Sequence, residues 1–121
     1  MLKLVVKEAK LQRDVDMVGK QDPFVELELG KWEWKSKVIQ SGGKNPVWNE
    51  TVEIPVEKFD KKLEIKVKDE DIGSSETVCE AKIEIGDFCK QASCEKAVPL
   101  EHKGKATGGE IHFSAEWKPK E

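Results

Sequence analysis

Acidic side chains are concentrated in two short stretches of this 121-residue sequence, and their spacing points to metal binding. The first stretch contains Asp16 and Asp22, and the second contains Asp69 and Asp71. Because Asp69 and Asp71 are two residues apart, their side chains project to the same side of an extended chain. Carboxylates held together without cations repel each other, and a divalent cation removes that cost. Calcium suits such a cluster because it takes about six to eight oxygen ligands in flexible geometry.

Other uses of clustered acids fit the sequence less well. An EF-hand needs its ligands within one loop of about 12 residues, whereas these acids are split between two distant stretches. Paired carboxylates also suit glycoside hydrolysis, but more than two acids are clustered and no substrate cleft is evident. No GxSxG context accompanies a Ser-His-Asp set, so an enzyme is not expected. Ordinary solvated loop acids remain the simplest alternative.

Alternating hydrophobicity places both acidic stretches at the ends of β-strands. Apolar and polar residues alternate along each segment, so each strand has one buried and one exposed face. Turn residues such as Gly and Pro separate the segments. The predicted strands lie at residues 2–7, 25–29, 31–35, 47–54, 63–68, 80–85, 97–100 and 111–117. This pattern predicts an all-β fold, an eight-stranded antiparallel β-sandwich, with residues 85–96 as the only helical candidate.

Length, charge and cysteine content restrict the class of protein. A domain typically has about 100–150 residues, so residues 1–121 are predicted to form a single domain. The 21 basic and 24 acidic residues give a net charge of −3, which argues against nucleic-acid binding. The chain has no apolar run long enough to span a membrane and no pattern of a signal peptide. Cys79, Cys89 and Cys94 are odd in number and lack CxxC spacing, which predicts free thiols in a reducing compartment and no zinc site.

Three motifs, taken together, resemble those of C2 domains. Residues 16–25 resemble the family signature D-x-x-G-x-x-D-P-[YF]-V, and residues 44–50 resemble its N-P-x-W-N-E turn and strand. Residues 67–71 resemble the V-x-D-x-D sequence of the family's third loop. The order and the distances between the motifs also match, and the resemblance covers essentially the whole chain. It implies an eight-stranded sandwich whose closing strand is C-terminal, the second topology of the family.

The resemblance also implies which residues bind calcium. Position by position, four aspartates look like calcium ligands: Asp16, Asp22, Asp69 and Asp71. Ser74 matches an auxiliary oxygen position, and the main-chain carbonyls of Met17 and Glu70 are further candidates. Where the family has another aspartate, this sequence has Glu76, whose longer side chain compensates for a third loop that is one residue shorter. The resemblance implies a pair of bound calcium ions.

Apolar side chains beside the acids indicate contact with a membrane. Met17, Val18 and Ile72 are expected at the loop tips, where full burial of each is worth about 1.5–3 kcal/mol. Lys20 is placed to meet anionic headgroups. The hypothesis is therefore a monomeric, cytoplasmic signalling module that binds anionic phospholipid membranes when calcium is bound. The alternative is a calcium-independent protein-interaction C2 domain with a degenerate calcium site.

A second lipid site, found on the lysine-rich concave face of some C2 domains, is predicted to be weak in this chain. Glu26 and Glu28 occupy strand positions where such members carry lysines, and Lys35 and Lys37 remain on the next strand. Trp48 corresponds to the aromatic residue that flanks that site. Selective phosphoinositide binding through this face is therefore not expected.

Overall fold

Antiparallel strands account for most of the described chain, which is all-β as the sequence predicts. The computed structural model describes residues 1–12, 21–56, 62–71, 74–88 and 91–118, without the side chains of residues 71, 74, 87, 106 and 107. Within these residues there are eight strands and one short helix. They are β1 (Leu2–Leu11), β2 (Pro23–Leu29), β3 (Trp32–Lys35), β4 (Val47–Ile54), β5 (Lys62–Asp71), β6 (Ser74–Glu84), α1 (Ile85–Phe88), β7 (Ser93–His102) and β8 (Lys105–Trp117).

The strands form a curled sheet in the order β3-β2-β5-β6-β7-β8-β1-β4. One half of the sandwich is β3-β2-β5-β6 and the other is β7-β8-β1-β4, and all pairings between neighbours are antiparallel. The C-terminal strand β8 lies between β7 and β1, the position that the resemblance implies for the closing strand. Among the described residues, the two halves are joined at β6 and β7 by one residue pair, Glu80 and Glu101. The fold is therefore two packed sheets that meet along a narrow seam.

Alternation along the strands produces the core between the two sheets. On β5, Leu63, Ile65 and Val67 are fully buried, while Glu64 and Lys66 between them are half-buried on the outer face. Burying one face of each strand drives the two sheets together, because apolar area removed from water is worth about 25 cal/mol per Å². The same alternation fixes which face of each strand carries its polar residues.

Close backbone approach between the sheets requires glycine at Gly108 on β8. A Cβ at Gly108 would lie 2.6 Å from the Cβ of Cys79 on β6 and 2.9 Å from the carbonyl oxygen of Leu100 on β7. Gly109 has φ +98°, and a Cβ there would collide with the carbonyl oxygen of Lys10. Glycine at these positions allows β8 to lie close to β1, β6 and β7.

Several strands extend beyond their predicted bounds, and the helix and the cysteines also differ from the sequence-based expectations. The helix is one turn, Ile85–Phe88, rather than residues 85–96, because β7 already begins at Ser93 and pairs with β8. Cys94 is disulfide-bonded, whereas Cys79 is buried and forms no disulfide, and Cys89 lies outside the described residues. The prediction of three free thiols is wrong because an odd count permits one disulfide, which depends on distances between sulfurs in the fold. The inference of a reducing compartment loses that support.

Within the described ranges, no helix has the length and apolar character needed to cross a bilayer.

Candidate metal centre

The predicted acidic ligands that the structure describes, Asp22, Asp69, Asp71 and Glu76, lie at one end of the sandwich, called here the loop end. It is the end at which β1 finishes at Leu11, β2 begins at Pro23, and β5 and β6 meet. The register pairs Pro23 with Asp69, so the residue before β2 comes next to the last residues of β5. Strand pairing, rather than any local feature, therefore brings the first and second acidic stretches together.

Asp22 and Asp69 are linked by hydrogen bonds between their segments. The backbone N–H of Asp22 donates to Oδ1 of Asp69 at 2.7 Å, and the N–H of Glu70 donates to the carbonyl oxygen of Asp22 at 3.0 Å. Asp69 is 6% exposed, while Asp22 is half-buried and Glu70 is exposed. The two carboxylates that the sequence separates by 47 positions are thus held at adjacent backbone sites.

A β-bulge on β6 determines which residues face Asp69. Val67 pairs with Cys79, but the next residue of β5, Lys68, pairs with Thr77, so Val78 is an extra residue. Beyond this bulge Glu76 lies directly opposite Asp69, and directly opposed residues of an antiparallel pair project to the same face. Without the bulge, Glu76 would lie opposite Glu70 instead. The bulge therefore brings Glu76 to the side of the sheet that carries Asp69, as bulges near functional sites commonly do.

The same shift pairs the backbone of Asp71 with that of Ser74, and the structure describes only the backbone of these two residues. The remaining predicted residues lie outside the described ranges: Asp16, Met17, Val18, Lys20 and Ile72. Among the described residues, no group of three or more His, Cys, Asp or Glu side chains is arranged to hold a metal ion. The assignments of metal ligands and membrane contacts stay predictions.

A turn between β3 and β4 holds the segment that carries Asp22 in place. The N–H of Ser41 donates to Oδ1 of Asp22 at 2.6 Å. Gln21 is fully buried, and its Nε2 donates to the carbonyl oxygen of Gly43 at 2.8 Å, while the N–H of Gly43 donates to the carbonyl oxygen of Gln21. Ser41 has φ +54° and Gly43 has φ +62°, which directs their N–H groups toward this segment. The sequence Ser-Gly-Gly indicates a turn but not its partner.

The donor chemistry of these residues suits a hard cation. An ionised carboxylate has two oxygens and about four acceptor positions, so a hydrogen bond at Oδ1 of Asp22 or of Asp69 orients the group without saturating it. Calcium prefers such oxygen donors, together with main-chain carbonyls, over nitrogen or sulfur. The residues present at the loop end therefore fit calcium better than a transition metal.

The outer face of β2 and β5 carries a carboxylate among lysines. Lys68 Nζ lies 2.7 Å from Oε2 of Glu26, whose side chain is 9% exposed. The hydrogen bond from Lys68 lowers the pKa of Glu26, although burial opposes it. A hydrogen bond with Glu26 raises the pKa of the neighbouring Glu28. Glu26 also lies opposite Lys35 and Lys66 in the register, so the lysines of this face surround a carboxylate.

Trp48 does not flank this face. It is 1% exposed and belongs to the core between the sheets, together with Val52 and Ile54 of the same strand. The prediction that it borders a lipid site on the concave face is wrong, because the alternation of β4 directs Trp48 inward.

Comparison with known proteins agrees with this architecture. The sequence model of the C2 domain family matches residues 1–100. The 16 kDa phloem protein 2 of Arabidopsis thaliana is 31% identical over 121 residues, which is 99% of this chain and 82% of that protein. A solved C2 domain-containing protein from a putative elicitor-responsive gene superposes with a TM-score of 0.81 at 30% identity, covering 99% of this chain and 89% of that one.

Other similar proteins are much longer than this chain. The chain spans only 10% of the mouse multiple C2 and transmembrane domain-containing protein 2, to which it is 37% identical over 71% of its own length. The calcium-bound structure of two tandem C2 domains of extended synaptotagmin 2 superposes with a TM-score of 0.79 at 27% identity, covering 96% of this chain and 44% of that one. Sequence motifs, strand order and these similarities agree, and the chain belongs to the C2 domain family.

Proposed function

We propose that this C2 domain is a calcium-dependent phospholipid-binding module and not an enzyme. The observation that carries the proposal is the placement of Asp22 beside Asp69 at the loop end, with Glu76 opposite Asp69. A calcium-bound structure of the similar extended synaptotagmin 2 domains supports it. The same role would make the protein a peripheral membrane protein, and a cytoplasmic location and a role in signalling stay predictions.

The proposed ligands are residues that already converge or belong to the adjoining loops. Asp22, Asp69 and Glu76 would provide carboxylate oxygens from the described strands. The remaining donors would come from the predicted set: the side chains of Asp16, Asp71 and Ser74, and the carbonyls of Met17 and Glu70. Bound calcium would supply positive charge that lipid phosphate oxygens accept.

The negative charge of the proposed ligands explains why membrane binding should depend on calcium. The five proposed acidic ligands together carry a charge of −5: Asp16, Asp22, Asp69, Asp71 and Glu76. Because the whole chain carries −3, all its other residues together carry +2. Without calcium the loop end should repel an anionic surface, and a pair of calcium ions would change the total to +1. Exposed lysines at the same end, Lys44 and Lys103, add to the attraction once the carboxylates are neutralised.

Co-sedimentation with liposomes tests the proposal. Vesicles of phosphatidylcholine with phosphatidylserine are pelleted with the protein in calcium or in chelator. We expect pelleting only with calcium, and we expect its loss in Asp69→Asn/Asp71→Asn. A matched control is Glu53→Gln/Glu116→Gln, which removes two exposed acids outside the proposed site. Equal pelleting with calcium and chelator would refute calcium dependence, and an intact response of the first variant would refute the ligand assignment.

A second candidate function is a calcium-independent protein-interaction domain. The specific observation in its favour is that backbone N–H groups donate to both carboxylates, that of Asp22 to Asp69 and that of Ser41 to Asp22, and so offset part of their charge. Calorimetric titration with calcium separates the candidates, because a domain that does not bind calcium releases no heat of binding and gains no thermal stability.

A further inference from the structure

The seam between β6 and β7 opens into a cleft that the calcium proposal does not use. Only Glu80 and Glu101 pair across the seam within the described residues, although β6 extends to Glu84 and β7 begins at Ser93. Below that pair lies a cleft of about 430 Å³. Its lining residues come from both strands and the following turn: Glu80, Ala81, Lys82, Ile83, Val98, Pro99, Glu101 and Gly104.

The cleft exposes strand edges that have no partner strand in the part of the chain that the structure describes. Residues 81–84 of β6 pair with β5 on one side, and the register contains no pairing of them with β7 on the other. Every second residue of such an edge presents its N–H and C=O groups outward, which makes the edge a template for another strand. On the opposite wall, Pro99 lacks an N–H and pairs poorly. The edge of β6 is therefore the better template.

The floor and the rim of the cleft differ in chemistry. Ala81 and Val98 are buried, and Ile83 is half-buried, so the floor is apolar. The rim carries the exposed carboxylates of Glu80 and Glu101, and among the described residues neither forms an ion pair.

The neighbouring cations cancel this charge only in part: Lys103 lines an adjoining depression together with Glu80 and Glu101, which leaves an excess of one carboxylate. Lys82 lies on the same rim, but its Nζ is directed to Glu64 on β5, at 3.3 Å from Oε1. Lys66 lies opposite Glu80 in the register, and it also lies opposite Glu26 on its other side. The electrostatic potential is therefore negative at the end of the cleft where Glu80 and Glu101 face each other across the seam.

We propose that this cleft binds an extended peptide segment, in which apolar and basic residues alternate, by strand addition to the edge of β6. The alternation of a strand directs one set of side chains to the apolar floor and the other to Glu80 and Glu101. Residues 81–84 span about 13 Å at 3.3 Å per residue, so a segment of four to six residues occupies the site. The site is separate from the proposed calcium ligands.

A peptide titration followed by NMR tests the inference. The probe is the capped hexapeptide Lys-Val-Lys-Val-Lys-Val, added to ¹⁵N-labelled protein in chelator at about 150 mM salt, so that the calcium function plays no part. We expect saturable shifts of the amides at residues 81–84 and around Val98. The matched Glu-Val hexapeptide and a backbone N-methylated Lys-Val hexapeptide should bind at least about fivefold more weakly, through lost charge pairing and lost ladder bonds respectively.

Variants of the protein distinguish binding through the carboxylates of Glu80 and Glu101 from nonspecific electrostatic attraction of a basic peptide to an acidic protein. Glu80→Lys/Glu101→Lys should weaken binding of the Lys-Val peptide about fivefold or more and improve binding of the Glu-Val peptide. Glu53→Lys/Glu116→Lys makes the same change of net charge elsewhere and should leave the shifts unchanged. The inference is overturned if residues 81–84 do not respond, or if the N-methylated peptide binds equally. It is also overturned if those amides shift on concentrating the protein alone, since the occupant would then be a second copy.

Discussion

The buried carboxylate of Asp69 should support the fold even when calcium is absent. It accepts the backbone N–H of Asp22 at 2.7 Å and is 6% exposed. Asp69→Ala removes the acceptor and leaves that N–H with one partner fewer in a poorly solvated position. Asp69→Asn keeps a carbonyl oxygen in the same place and removes only the charge. Comparing the two substitutions therefore separates the hydrogen bond from the charge.

The magnitude follows from the type of hydrogen bond. A bond from an amide to a charged group contributes about 1.5–3 kcal/mol, and a neutral one contributes about 1 kcal/mol. Asp69→Ala should therefore lower the free energy of unfolding by about 2–3 kcal/mol, and Asp69→Asn by about 1 kcal/mol. For a domain of this size, 1 kcal/mol corresponds to about 3–5 °C in Tm. The alanine variant should melt about 3–10 °C below the asparagine variant.

Urea denaturation in chelator measures both free energies, with circular dichroism as the readout. The slope of the free energy against urea concentration should stay constant across the three proteins, since the surface exposed on unfolding does not change. Glu76→Gln provides a control of equal charge change at an exposed neighbour and should alter stability by less than about 0.5 kcal/mol. Equal destabilisation by Asp69→Ala and Asp69→Asn would refute a supporting role for the hydrogen bond.

Further substitutions test the ion pair, the seam and the turn that supports the site. Glu26→Gln leaves Lys68 unpaired and should lower the free energy of unfolding by about 2 kcal/mol at pH 7. Folding lowers the pKa of Glu26. The contribution of Glu26 to stability is therefore present above its ordinary pKa of 4.5 and is lost as the pH falls through its pKa in the folded protein. The difference in unfolding free energy between wild type and variant should therefore shrink as the pH falls below 4.5, and a difference that does not change with pH would contradict this. Gly108→Ala places a Cβ 2.6 Å from a neighbouring Cβ and should destabilise by about 2 kcal/mol or more, whereas an unchanged Tm would show that the seam can relax. Gln21→Leu removes the donor to the Gly43 carbonyl and should cost about 1–3 kcal/mol and weaken calcium binding in calorimetry; a destabilised protein with unchanged affinity would exclude a role in positioning the site.

Strand positions could be predicted from the sequence because the alternation of apolar and polar residues is a local property of the chain. Residues 47–54 were predicted as a strand and are observed as β4, Val47–Ile54. The β7 strand is longer than predicted, Ser93–His102 against residues 97–100, because pairing with β8 extends a segment with weak alternation. The same pairing shortens the helix that a local pattern suggested.

Contacts around the site were harder to predict from the sequence because they join distant parts of the chain. Ser41 and Gln21 have no pattern that predicts a bond to the segment of Asp22. Trp48 matches a family motif, yet its side chain is buried in the core. The disulfide of Cys94 likewise depends on the distance between two cysteines in the folded chain, which the number of cysteines in the sequence does not reveal.

The sequence by itself determined the C2 family, the number of strands and the two acidic stretches, since each of these depends on neighbours along the chain. Only the tertiary structure decided how the acidic stretches meet. Pairing of β2 with β5 brings Asp22 to Asp69, and one extra residue, Val78, turns Glu76 to the same face. The physical reason is that a strand has a period of two, so a one-residue change of register moves every later side chain to the opposite face.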